Sequence, residues 1–292
     1  MSHRSGFVNI LGNPNVGKST IMNALVGEKL SIITSKAQTT RHRIMGIVNG
    51  DDFQIVYSDT PGILKPKYKL QESMMTFVNI ALSDADIILY VTDITEKTAD
   101  ETGYTVKIKE SGVPLIVAIN KIDLSSQQDL EQKAELWEKI FPGAPIIPVS
   151  ALEGFNLDIL LCAIVSKLPE GAPYFPKDQL TDKYERFFAS EIIREKILLN
   201  YQKEIPYSAE VEIESFRDEE KIIRIRALIH VIRETQKGII IGHKGEKLKK
   251  TATEARIDME DFFGKKVFLE MYVKVTKDWR DKPTELKRFG YR

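Results

Sequence analysis

The sequence predicts an α/β fold in two parts. A doubly wound, mostly parallel sheet occupies residues 1–170, and a smaller α+β domain occupies 182–292. Three observations predict this. Short apolar runs alternate with stretches of helical period through the first part, as in strand–helix–strand crossovers. Pro169, Gly171, Pro173 and Pro176 fall within eight positions and mark a linker over 171–181. Beyond it the order becomes helix, two strands, short helix, long helix, strand.

In the first part, residues 6–11 read as a buried strand and 20–25 as a helix that Gly27 closes. Residues 28–43 are a polar loop carrying Ser31, Thr34, Ser35, Thr39 and Thr40. Two extended runs, 44–48 and 53–57, flank Asn49-Gly50-Asp51-Asp52. An Asn-Gly pair between extended runs signals a hairpin, which adds one antiparallel edge strand. Pro61, Gly62 and Pro66 make the next stretch irregular. Leu70, Met74, Phe77, Val78 and Ala81 then recur at helical spacing. Residues 87–91 are continuously apolar between Asp86 and Asp93, the pattern of a strand buried on both faces. A helix is expected over 99–110, a strand over 115–119, a helix over 130–140 and a strand over 146–149. Leu157, Leu160, Leu161, Ile164 and Leu168 mark the last helix of this part.

After the linker, Asp182 and Glu185 resemble a capping box opening a helix over 184–202. Strands are expected over 209–216 and 222–231, with Glu210, Glu212 and Glu214 of the first facing Arg224 and Arg226 of the second. Leu248, Ala252, Ala255, Met259 and Phe262 keep one helical face. Val267, Leu269, Met271, Val273 and Val275 alternate strictly, so the closing strand buries one side.

The 42 basic and 42 acidic residues balance over the 292-residue chain. The balance is uneven: residues 181–292 carry 25 Lys/Arg against 21 Asp/Glu, or +4, which leaves −4 for the rest. That asymmetry weakly favours a polyanionic partner for the second part. Cys162 is the single cysteine, so no internal disulfide can form, as suits a reducing cytosol. The first residues lack an apolar signal core, and no apolar run approaches the ~18 residues of a membrane span. The four histidines show no metal-ligand spacing.

Gly12-Asn13-Pro14-Asn15-Val16-Gly17-Lys18-Ser19 fits G-x-x-x-x-G-K-[ST] between a strand and a helix. Backbone N–H groups from Asn13 and from Asn15 through Thr20 are then candidate phosphate binders, backed by the helix N-terminus. Lys18 would reach the β- and γ-phosphates and Ser19 would ligate Mg²⁺. Asp59-Thr60-Pro61-Gly62 follows at a strand end; Asp59 is placed to reach Mg²⁺ and Gly62 to offer its N–H to the γ-phosphate. Thr39 or Thr40 supplies a further hydroxyl to the metal. Lys18, Thr40, Asp59 and Gly62 form the candidate catalytic set. Asn120-Lys121-Ile122-Asp123 selects the base: the Asp123 carboxylate accepts two N–H bonds that guanine offers and adenine does not. Asn120 braces the pocket, the Lys121 stem lies on the base, and Ser150-Ala151-Leu152 brings the Ala151 N–H to the guanine oxygen. GTP and GDP are the expected ligands. Ile63 stands where many small GTPases place a glutamine that orients the attacking water. Hydrolysis therefore uses another device.

Gly242-His243-Lys244-Gly245 is a G-x-x-G between helical segments, preceded by Gly238 and the apolar run ending at Ile241. Lys237, Lys244, Lys247, Lys249 and Lys250 cluster around it. Such a loop admits a nucleic-acid backbone, and the apolar run and facing strand would floor a groove for unstacked bases. Alone it also fits a glycine turn with a solvated lysine face, or a second phosphate loop. With the element order it reads as a type II KH domain. The tail from Trp279 onward, with Phe289 and Tyr291, either stacks on bases or packs on the domain.

Together with Lys36-Ala37-Gln38-Thr39-Thr40-Arg41-His42-Arg43, these motifs resemble the Era family of bacterial GTPases over nearly the whole chain. The resemblance implies binding to small-subunit ribosomal RNA near its 3′ end and a role in maturation of the small ribosomal subunit. It also implies peripheral membrane association in some members. A cytoplasmic monomer is expected. The apolar residue at Ile63 agrees with the family. Analogy with other glutamine-less GTPases makes Asn15 a candidate K⁺ ligand. The competing readings are a signalling GTPase acting on a protein or membrane partner, and an RNA-binding module in which nucleotide is structural.

Overall fold

A computed structural model describes residues 3–96 and 102–291. The chain divides into two units, Met1–Lys67 with Gln71–Asp182, and Lys183–Arg292 with Tyr68–Leu70.

In the first unit the elements run β1 (Arg4–Leu11), α1 (Lys18–Val26), β2 (Ile44–Asn49), β3 (Phe53–Asp59), α2 (Lys69–Ser83), β4 (Ile87–Asp93), α3 (Tyr104–Ser111), β5 (Leu115–Asn120), α4 (Gln127–Ile140), β6 (Ile146–Pro148) and α5 (Leu157–Lys167). The sheet order is β2-β3-β1-β4-β5-β6. Only β2 runs antiparallel, paired with β3 as the sequence hairpin requires. Every residue of β4 is buried, because both faces and both edges are covered. Gly27 closes α1 in the left-handed region, its N–H donating to the Asn23 carbonyl at 2.9 Å. Of the helix expected over 99–110, α3 is the described portion; Ala99, Asp100 and Glu101 lie outside the described residues.

The residues expected as the linker are bonded to the first sheet. They lie along the open edge of β2 as part of the first unit. The Ile47 N–H donates to the Leu180 carbonyl at 2.8 Å, and the Thr181 hydroxyl donates to the Met45 carbonyl at 2.7 Å. Gln54 holds Tyr174 and Phe175 through three backbone hydrogen bonds. This corrects the capping box: the Asp182 carboxylate accepts the Met45 N–H at 3.1 Å, and the following helix starts from Tyr184 with no side-chain cap. An unpaired edge N–H competes more strongly for the carboxylate than a solvated helix start does.

The second unit comprises α6 (Glu185–Asn200), α7 (Ile205–Ser208), β7 (Glu210–Asp218), β8 (Ile222–Val231), α8 (Glu234–Ile241), α9 (Glu246–Phe263), β9 (Lys266–Val275) and α10 (Pro283–Arg288). Its sheet is β7-β8-β9, antiparallel then parallel. The helices bury one sheet face around Ile193, Ile197, Ile225, Ala227, Ile240 and Met259. The alternating residues of β9 pack into this core, as their period demands. The expected cross-strand ion pairs form only in part. Arg226 lies 4.0 Å from Glu214 and 3.3 Å from Glu270, whereas Arg224 pairs with Glu219 at 3.2 Å. A register shift between Ile213 and Ser215 moves the acids out of line.

The tail packs. Trp279 is fully buried and its indole donates to the Ser208 carbonyl at 2.9 Å. Tyr291 is buried with its hydroxyl on Glu210, and Phe289 lies against Trp279 and His230. These rings fill the domain's own surface and are not free platforms for bases.

Candidate nucleotide and RNA sites

The phosphate loop between β1 and α1 is shaped by close backbone approach. Gly17 has φ 95°, and a Cβ there would fall 2.1 Å from Asn120 Nδ2. Asn120, at the end of β5, donates to the Val16 carbonyl at 3.0 Å and accepts the Ala151 N–H at 3.0 Å. One buried amide thus ties the phosphate loop to the 150–152 loop. The Ala151 N–H expected for the guanine oxygen is already engaged by Asn120. Leu152 beside it is largely exposed.

Lys18 is buried and donates to the Gly12 and Asn13 carbonyls at 3.1 and 2.7 Å. Burial pushes its ammonium down to about 8, against the opposing charges of Asp59 and Glu96. A polyphosphate beside it would favour the charged form.

Ser19 lies in the first turn of α1, Thr40 in the polar loop and Asp59 at the end of β3, and the three side chains converge. Ser19 Oγ donates to Asp59 Oδ2 at 2.6 Å, Thr40 Oγ1 does so at 3.1 Å, and the two hydroxyls lie 2.9 Å apart. Of the two threonines, it is Thr40 whose hydroxyl meets Ser19 and Asp59. The Thr39 hydroxyl is turned into its own loop, 2.7 Å from Thr34 and donating to the Lys36 carbonyl at 2.6 Å. Asp59 is wholly buried, which raises its carboxyl above the usual range despite the Ser19 hydroxyl and the Lys18 ammonium. Its Oδ1 has no hydrogen-bond partner among the described residues. An orphaned buried carboxylate oxygen with two hydroxyls beside it fits a hard, oxygen-seeking cation such as Mg²⁺.

Gly62 packs on the phosphate loop, where a Cβ would lie 2.7 Å from Pro14. The next N–H, of Ile63, donates to the Gly12 carbonyl at 3.1 Å and its side chain is buried. Ile63 thus has no role toward a water in the cleft. Around these residues is a cavity of about 370 Å³, lined also by Asn15, Thr20, Ile33, Thr34 and Lys121. Asn15 has φ 66° and donates from Nδ2 to the Ser35 carbonyl at 3.1 Å, which joins the phosphate loop to the polar loop. At the base end, Asp123 is exposed and receives the Ser150 hydroxyl at 2.5 Å.

Three networks escaped sequence reasoning. Lys121 donates to both the Asp93 carboxylate and the Asn15 carbonyl. Glu96 receives the Asn13 amide and the Thr92 hydroxyl. Arg43 is buried on Asp84, Ser58 and Asn9. The aspartate closing β4 was visible as a strand boundary only.

In the second unit, Gly242 and Gly245 take φ 73° and 81°, and Lys244 between them takes 47°. This loop links α8 to α9. His243, Lys244, Lys247 and Lys250 are exposed around it. The apolar run before it lies in α8, where the sequence places the short helix. Ile240 is buried in the core, leaving Ile239 and Ile241 on the loop side, with Gly238 exposed within α8. Glu246 stands in the first turn of α9 and opposes the attraction of that helix end for phosphate.

Comparison with known proteins gives two family models. One, described as a 50S ribosome-binding GTPase, matches residues 7–121, and one described as a KH domain matches 204–280. The chain is 47% identical over 291 residues to the GTPase Era of Syntrophus aciditrophicus, covering 99% of this chain and 95% of that one. It is 45% identical over 294 residues to the GTPase Era of Alkaliphilus metalliredigens, covering all of both. Among solved structures it is similar to Era in complex with MgGDPNP and nucleotides 1506–1542 of 16S ribosomal RNA, with TM-score 0.95, 42% identity and 99% of both chains covered. It is likewise similar to an Aquifex aeolicus Era variant bound to GDP and AlF₄⁻, with TM-score 0.94 and 41% identity.

Proposed function

Since this chain belongs to the Era family of GTPases, we propose that its two units form a GTP-hydrolysing switch that binds small-subunit ribosomal RNA near the 3′ end. We further propose that it acts in maturation of that subunit. The observation that carries the GTPase reading is the convergence of Ser19 and Thr40 on Asp59, whose second carboxylate oxygen is left without a partner, beside Lys18.

Mg²⁺, when bound, neutralises charge on the transferring phosphoryl group. Ser19 and Thr40 would hold it by their hydroxyls, with Asp59 supplying the carboxylate. Lys18 would exchange its two carbonyl acceptors for phosphate oxygens, and the Gly62 N–H would face the γ-phosphate. Asp123, oriented by Ser150, would accept the guanine N–H pair. With Ile63 buried, a cation held near Asn15 would supply the charge that an arginine finger provides elsewhere, worth up to about 10³-fold. We propose K⁺ for that cation. Turnover should be clearly faster in potassium than in sodium at equal ionic strength; equal rates would remove this element alone. The substitution Asp123→Asn should weaken GTP binding and improve xanthosine triphosphate binding, and unchanged preference would overturn the base assignment.

In the second unit the 242–245 loop would clamp the RNA backbone, with Lys244, Lys247 and Lys250 facing phosphates. The test is GTP turnover and RNA affinity in the full chain. Turnover without RNA binding would favour the signalling alternative. We also propose a cytoplasmic monomer that meets the membrane only peripherally; vesicle flotation and sedimentation test this.

A further inference from the structure

The end of β4 holds a carboxylate that no nucleotide-binding motif includes. Asp93 is buried, with its two oxygens assigned to different partners. Oδ1 accepts the Thr95 N–H at 2.8 Å and the Thr95 hydroxyl at 2.7 Å. Oδ2 accepts the Lys121 ammonium at 2.6 Å. Burial alone would raise its carboxyl, but the bonds from Lys121 and Thr95 outweigh this and hold it below the usual range. The ammonium of Lys121 also donates to the Asn15 carbonyl at 2.7 Å.

Lys121 and Asn15 are both non-glycine residues in the left-handed region, with φ of 62° and 66°. Each conformation costs free energy that the surroundings must offset. A single ammonium, anchored by one buried carboxylate, spans both. Without the carboxylate, the lysine's long stem would regain its rotamers and the Asn15 carbonyl would lose a charged donor.

We propose that Asp93 is a positioning residue for nucleotide binding: it fixes the Lys121 stem across the guanine plane and, through Lys121, sets the backbone of Asn15. This rests on the base-site and cation-site readings above. Asp93 touches neither base nor phosphate in this scheme. Its effect falls on affinity and on the cation requirement, and guanine selection stays with Asp123.

The experiment uses the full chain with Asp93→Ala and Asp93→Asn. It measures KM and kcat for GTP, the potassium concentration for half-maximal turnover, the GTP over xanthosine triphosphate preference, and the melting temperature. Loss of a charge-assisted hydrogen bond predicts a KM raised about tenfold or more in Asp93→Ala. Asp93→Asn keeps one neutral oxygen, which can accept from Thr95 or from Lys121 but not from both, and should fall between it and the unaltered chain. The half-maximal potassium concentration should rise in the same order, with guanine preference unchanged. A KM within twofold of the unaltered chain, whether or not melting shifts, would overturn the proposal, because a purely structural role moves melting alone. Failure of the base reading is seen separately, as an Asp123→Asn variant that keeps its GTP preference. Failure of the cation reading is seen as potassium indifference in the unaltered chain, in which case KM alone decides.

Discussion

The nucleotide cleft and the 242–245 loop are both built on glycines with positive φ, yet they are constructed in opposite ways. In the cleft nearly every functional side chain is bonded to another side chain or to the backbone of a neighbouring loop: Ser19 to Asp59, Asn120 to Val16 and Ala151, Lys121 to Asp93 and Asn15. Around the second loop the lysines stand exposed on a scaffold whose tight contacts lie elsewhere, in the core and the tail. Gly17 leaves no room for a Cβ, whereas a Cβ at Gly245 would meet nothing within 4 Å. A buried, interlocked site fails as a unit when one part moves. An exposed cationic site loses its parts one by one.

The strongest way to test that contrast is Gly17→Ala. The methyl would displace Asn120 and break both of its buried hydrogen bonds, on top of the left-handed strain. At about 1–3 kcal/mol per bond left unmade, guanine-nucleotide affinity should fall about 10³-fold. Titration with a fluorescent GDP measures it, and a loss under tenfold would mean the cleft is less coupled than its bonds suggest.

Trp279→Ala comes next. Removing a wholly buried indole should destabilise the second unit by about 3–5 kcal/mol. Denaturant unfolding followed with GTP binding should show the first unit retaining its nucleotide. Loss of both together would join regions that the contrast separates.

Smaller still, Lys244→Ala and Lys247→Ala should each weaken RNA binding at every sequence tested. Each should lower the slope of log affinity against log salt by about 0.7 for a single strand. The double variant should show the sum, and a marked departure from additivity would make this loop as interlocked as the cleft.

The slightest effect concerns pH. His230 is buried between Glu212 at 3.0 Å and Thr276 at 2.8 Å, and burial holds its pKa below the usual 6.5. A depressed histidine pKa means the unfolded chain binds the proton more readily. Its contribution is therefore complete above about 6.5 and is lost as pH falls below that value. Glu212, whose lowered pKa comes from Arg288 and His230 against burial, contributes above 4.5 and fades on further acidification. Melting of the second unit should thus fall from pH 7 toward pH 5, less so in His230→Gln.

What could be read from the sequence was whatever is contiguous. The phosphate loop, Asp59 with Gly62, the 120–123 base motif and the 242–245 loop each carry their chemistry within a few neighbouring residues. The strand–helix period supplied the sheet. Thr40 could not be told from Thr39, because an irregular loop has no period to say which hydroxyl faces inward. Arg43 with Asp84, and Asp93 with Lys121, join residues 41 and 28 positions apart, and pairs at that distance leave no mark on one sequence. The aromatic tail read equally as a stacking surface or as packing, since composition alone does not distinguish a wet ring from a dry one. Asp182 misled for a related reason: its helix-capping spacing was genuine, but a nearby strand edge offered a better donor.

The segment lying along β2 also bears on how the first unit behaves when separated. An edge strand with open N–H and C=O groups is a template for pairing with another chain. Here Leu180, Thr181 and Asp182 occupy positions along Ile44–Asn49 that would otherwise face solvent. A fragment ending at residue 170 would uncover that edge and also leave Gln54 without Tyr174 and Phe175. It should self-associate and precipitate at concentrations where a fragment ending at 182 stays dispersed. The proline-rich stretch is in this sense a guard against aggregation before it is a hinge.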